Sequence, residues 1–99
     1  MAFTREEVHD CVLSALRHML ADPSAEIDET TNPIRGLGFI SDDGLDFACE
    51  ISDRLNFHFP DKKNPFVDDS GRRARRVGEI IDLICPMVQE NQEAAHGRH

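Results

Sequence analysis

The apolar residues of this chain recur at helical spacing in three places and alternate at strand spacing in none. That regularity points to an all-α fold. Val8, Cys11, Val12, Ala15, Leu16, Met19 and Leu20 mark one stripe. Phe47, Ala48, Ile51 and Leu55 mark a second, and Val77, Ile80, Ile81 and Ile84 a third. Steps of three and four residues put such side chains on one face of a helix. Helices this short are marginal alone and must pack through those faces. With 99 residues there is room for one domain, and a small helical bundle is the expected outcome.

Local signals set the predicted boundaries. Thr4 and Glu7 fit a capping box, and Phe3 and Val8 stand where a hydrophobic staple places them. The first helix is predicted over 5–20, ended by Asp22-Pro23-Ser24. Residues 21–40 read as a long connection punctuated by Pro23, Pro33, Gly36 and Gly38, with Ile27, Ile34, Leu37 and Phe39 as apolar anchors. The second helix is predicted to begin near Ser41 as N-cap, with Asp42 and Asp43 in its first turn, and to end near Asn56. Residues 60–76 read as irregular or briefly helical, with Phe66 and Val67 turned inward. The last helix opens at Val77, and Pro86 ends or kinks it. The expectation is three main helices, plus a short helical or irregular segment before the last. The domain spans 1–88, and 89–99 form a flexible tail.

Charge and composition exclude several functions. The net charge is -8, a sign that opposes nucleic-acid binding. Residues 1–59 carry 12 acids and 4 bases, while 60–99 carry 7 of each. A basic partner surface therefore suits the first part of the chain. No stretch is long and apolar enough to span a membrane, and Arg5-Glu6-Glu7 does not open a signal peptide. Cys11, Cys49 and Cys85 are odd in number, without a C-x-x-C, and lie in apolar-periodic segments. They read as buried, reduced thiols of a cytoplasmic protein. His9, His18, His58, His96 and His99 show no metal-ligand spacing. A domain this small has little room for a deep pocket, and no residue is assigned a catalytic role.

The informative stretch is Leu37-Gly38-Phe39-Ile40-Ser41. Glycine allows a tight turn, and the serine is presented at a helix N-terminus. A phosphodiester there would lie beside free backbone N–H groups and the positive end of the helix dipole. Asp42, Asp43, Asp46, Glu50 and Asp53 follow, with no base until Arg54. Such a run is ordinarily a solvated helix face; it also suits an approaching basic enzyme.

Here the sequence resembles the acyl carrier protein family, whose members carry Leu-Gly-x-Asp-Ser-Leu with 4'-phosphopantetheine on the serine. Asp43-Gly44-Leu45-Asp46 is a decoy register, because Leu37-Gly38 sits the right distance before Ser41. From Ser41, Asp46, Phe47, Ile51, Leu55, Phe59 and Pro60 fall in the family's phase. The first helix, the loop with Ile27 and Thr30, and Val77-Gly78-Glu79-Ile80-Ile81-Asp82-Leu83-Ile84 extend the resemblance over residues 4–88. Ile40 and Asp42 replace the family's Asp and Leu beside the serine, and the stretch from Pro60 to Val77 is longer and more basic.

The resemblance implies a four-helix bundle that performs no chemistry itself. It implies phosphopantetheine on Ser41 and an acyl or related group held as a thioester, in lipid or fatty acid biosynthesis. Asp42, Asp43, Asp46, Glu50 and Asp53 would bind partners. Those are a Mg²⁺-requiring phosphopantetheinyl transferase and acyl-handling enzymes with basic docking surfaces, met by a cytoplasmic monomer. The alternative is an unmodified carrier-like interaction module. Arg72, Arg73, Arg75 and Arg76 are expected to pair within the chain, with Asp68, Asp69 or the acidic helix. The less favoured reading gives them an acidic partner or a phosphate.

Overall fold

Helix α1 spans Arg5–Leu20, as predicted. Its capping box is complete: the Glu7 N–H donates to Thr4 Oγ1 at 3.1 Å, and the Thr4 N–H to Glu7 Oε1 at 2.9 Å. Val8, Val12, Leu13, Ala15 and Leu16 are buried, and Phe3 packs against the same core. The helix stops at Ala21, which takes a left-handed conformation (φ 54°) and donates its N–H to the carbonyls of Arg17 and His18. These facts come from a computed structural model that describes the backbone of residues 3–96 and the side chains of residues 3–89.

The long connection contains a helix that the apolar pattern did not announce. Helix α2 spans Pro33–Leu37. Asn32 Oδ1 accepts the N–H groups of Ile34 and Arg35, each at 3.1 Å, and Pro33 stands at the first helical turn, where its missing N–H costs nothing. Gly38, at φ 81°, closes it. Five residues are too few to express a helical period, so only the cap residues signalled it. The fourth helix therefore precedes the acidic helix, whereas the optional one had been expected before the last.

Helix α3 spans Asp43–Leu55 and helix α4 spans Val77–His96. Helix α1 packs against both. Between them lie Phe47, Ile51, Leu55, Phe66, Val77, Ile80, Ile81, Ile84 and Val88, all fully buried. Burying each large side chain contributes about 1.5–3 kcal/mol. The first connection also caps α4: the Val77 and Gly78 N–H groups donate to the carbonyls of Thr31 and Glu29 at 2.8 and 2.9 Å. Arg5 reinforces this end by bridging Glu29 and Asp82 at 2.8 and 3.2 Å.

Residues 60–76 contain no helix. They are tied by one antiparallel bridge, Val67 with Ala74, and among the described residues there is no longer strand. Phe66 is buried as expected, while Val67 is only half-buried. Arg75 is buried and donates from Nη1 to the carbonyls of Asn64 and Val67 at 3.0 and 2.7 Å. Arg73 pairs with Glu79 at 2.8 Å, which holds the Glu79 carboxyl below the usual range. Two of the four arginines thus pair within the chain, with α4 and with backbone carbonyls more than with the expected acids. Arg72 and Arg76 have exposed side chains.

Two expectations are corrected, the stop at Pro86 and the burial of the cysteines. Pro86 does not end α4; it lies inside the helix with its side chain exposed, where the carbonyl of Asp82 loses its intrahelical donor and meets the ring. Helix α4 continues to His96, and residues 97–99 lie outside the described residues. The cysteines are free but not uniformly buried. Cys11 and Cys85 are half-buried, which pushes their thiols up, and Cys49 is exposed.

Candidate functional site

Ser41 lies on the turn that joins α2 to α3. Gly38 reverses the chain, and Phe39 drops back into the core with its N–H on the Pro33 carbonyl at 3.1 Å. Ile40 and Ser41 are left outside. The turn then tightens by i→i+3 bonds: Asp43 N–H to Ile40 O, Gly44 N–H to Ser41 O and Leu45 N–H to Asp42 O, at 3.0, 3.0 and 3.1 Å.

This corrects the predicted role of Ser41 as N-cap. The helix begins two residues later, and Asp42 at the cap position makes no side-chain capping bond. The cap runs the other way. Asp43 Oδ2 accepts the Ile40 N–H at 2.9 Å, tying the first helical residue back across the turn. The Ser41 hydroxyl is exposed and makes no hydrogen bond among the described residues. The first-turn N–H groups of Asp43, Gly44 and Leu45 are occupied, so those without a partner near the hydroxyl belong to Ser41 and Asp42.

The turn is held from the 60–76 segment. Asn64 Nδ2 donates to the Ser41 carbonyl at 2.7 Å. The ring of Phe66 sits 5.5 Å from that of Phe39 and 5.3 Å from that of Phe47, so it packs against residues on both sides of Ser41. Gly44 makes room: a Cβ there would lie 2.8 Å from Asn64 Cγ and 3.1 Å from Phe66 Cβ. Sequence reasoning missed Asn64, and nothing in the local pattern marks it.

The acidic residues do not form one uniform face. Asp42, Asp46 and Asp53 are exposed. Asp43 is half-buried on the Ile40 amide. Glu50 is turned toward α1, where His18 Nδ1 lies 2.9 Å away and Arg54 Nη2 donates at 2.9 Å. Partial burial pushes the Glu50 carboxyl up, but those two partners outweigh it and leave it below the usual range.

Apolar surface accompanies the exposed acids. Ile40 is 61 % exposed and Leu45 50 %. Leu45 also lines an open groove of about 460 Å³ between α3, with Ala48, Cys49, Ser52 and Asp53, and the segment that follows it, with His58, Phe59, Pro60, Asp61 and Lys63. Leu45 falls off the stripe of Phe47, Ile51 and Leu55, which was the available sign of its exposure. A second open groove lies where the end of α1 meets Arg54, lined by Ser14, Arg17, His18, Ala21, Asp22 and Pro23. Among the described residues no group of three or more His, Cys, Asp or Glu is placed to hold a metal ion, and no helix is long and apolar enough to cross a membrane. No family model, curated protein or solved structure matches this chain.

Proposed function

We propose that this chain is an acyl carrier domain, bearing 4'-phosphopantetheine on Ser41 and presenting an acyl or related group to partner enzymes as a thioester. The observation that carries the reading is the Ser41 hydroxyl: exposed, unbonded among the described residues, and placed on a braced turn at the head of an acidic helix. The residues present fit the group. Ser41 is exposed, its amide and that of Asp42 have no partner among the described residues, and the groove lined by Leu45 opens one turn further along, with apolar and charged side chains in its walls.

When attached, the arm supplies the thiol that holds the cargo. The chain supplies the oxygen of Ser41, the turn that orients it and the surface that partners grip. It performs no catalysis. Asp42, Asp46 and Asp53 offer charge to basic docking surfaces, while Ile40 and Leu45 offer apolar contact. The partners are a phosphopantetheinyl transferase and acyl-handling enzymes, met in the cytoplasm by a monomer. The deciding experiment is intact-mass analysis after co-expression with several transferases, beside Ser41→Ala. Wild type should gain one prosthetic group and the variant none; a wild type that never gains it sinks the reading.

The exposed side chain of Ile40 favours a second reading, an unmodified interaction module. Its partners would be retained by Ser41→Ala in a pull-down, whereas carrier partners that act on the arm would be lost.

A further inference from the structure

The Ser41 turn is not self-supporting. Its closing contact comes from Asn64, 23 residues away, whose Nδ2 donates to the Ser41 carbonyl at 2.7 Å. Asn64 is itself fixed twice more. Its Oδ1 accepts the Phe66 N–H at 2.9 Å, and its backbone carbonyl accepts Arg75 Nη1 at 3.0 Å.

Arg75 explains why that support is stiff. It is the only charged residue buried among those described. A guanidinium keeps its charge at any working pH, so burying it is costly unless its donors are met. Here Nη1 donates to the carbonyls of Asn64 and Val67 at 3.0 and 2.7 Å, and Nη2 lies 3.5 Å from Asp69 at the surface. The guanidinium therefore cross-links both ends of the 64–67 turn from inside. Gly44 is the matching feature on α3. Glycine is a poor helix residue, and it occupies the position where a side chain would strike Asn64 and Phe66.

We propose that Asn64 is the positioning residue for Ser41: held by Arg75, it fixes the Ser41 carbonyl and thereby sets where the hydroxyl points when a transferase docks. This rests on the reading of Ser41 as the carrier serine. Among the described residues Asn64 makes no hydrogen bond to the hydroxyl or to Asp42, Asp46 or Asp53, so its contribution falls on the orientation of the nucleophile. Misplacing a reacting atom lowers the rate of the chemical step more than the affinity.

Asn64→Asp tests it, because the variant keeps the shape and the acceptor for the Phe66 amide and loses the donor to Ser41. With a transferase that loads wild type, kcat should fall about tenfold or more while KM stays within about twofold. Amide hydrogen exchange at Gly44 and Leu45 should quicken, with global unfolding little changed. Gly44→Ala should lower kcat in the same way by pushing Asn64 aside, and Gly44→Ala with Asn64→Ala should lose less than the two single losses combined, the contact with Phe66 remaining. Wild-type kcat in Asn64→Asp, or a change confined to KM, overturns the proposal. If no transferase loads wild type, the carrier reading fails and exchange alone decides. Faster exchange in Asn64→Asp then sustains the positioning of the turn, and unchanged exchange overturns it.

Discussion

His18 Nδ1 lies 2.9 Å from both carboxylate oxygens of Glu50, closing the last turn of α1 onto the middle of α3. Arg54 donates to the same carboxylate and reaches back to Ser14 Oγ at 3.1 Å. Glu50 is thus committed inside the chain. Its carboxyl is held below the usual range, so its contribution to stability is present above that range and is lost as pH falls through the lowered value. Glu50→Gln should cost about 0.5–1 kcal/mol near neutral pH, a fall of roughly 2–8 °C in Tm. The gap from wild type should close well below the ordinary carboxylate range. Thermal melts of both proteins at the two pH values check this.

Ser41 and Asp43 should separate cleanly. Ser41 makes no side-chain hydrogen bond among the described residues, so Ser41→Ala should alter stability by less than about 0.5 kcal/mol while abolishing any mass gain. Asp43→Ala removes the acceptor of the Ile40 amide and should cost about 1 kcal/mol. Had Ser41 been the cap, the order would be reversed. Denaturant melts of the two variants read it directly.

Leu45 is half-exposed and lies one turn beyond Ser41. Leu45→Glu should leave stability within about 0.5 kcal/mol of wild type. It should raise the KM of the transferase several-fold, because the apolar contact is replaced by a solvated charge. Steady-state loading kinetics give the answer, and an unchanged KM removes Leu45 from the docking surface.

Pro86 stands within α4 and is exposed. Restoring an N–H with Pro86→Ala should stabilise the domain, by no more than about 3 kcal/mol. Urea melts would show a higher midpoint with an unchanged slope. A lower midpoint would mean that the proline's geometry is needed where α4 meets α1.

The parts of the fold legible in the sequence were those set by short-range rules. The Thr4–Glu7 box and the stripe from Val8 to Leu16 placed α1, because both act within a helical turn or two. The stripe of Phe47, Ile51 and Leu55 placed α3 for the same reason. The short α2 was illegible by period, since five residues hold barely more than one turn. Pro86 misled because its local penalty can be outweighed by the buried apolar face around it, including Ile84 and Val88. At the candidate site, the exposure of Ser41 was legible from Gly38 and the acids that follow. Its support was not. The contact with Asn64 spans 23 residues, and no local pattern encodes which asparagine reaches which carbonyl.

The wedge of Phe66 between Phe39 and Phe47 has a consequence for synthesis. Ser41 leaves the ribosome well before Phe66 and Arg75 do, so the nascent chain displays the serine before its turn can close. The finished turn exists only once the later segment has folded back. On the proposed carrier reading, an enzyme that requires the braced turn would pass over incomplete or misfolded chains, and attachment would report that the later segment has folded.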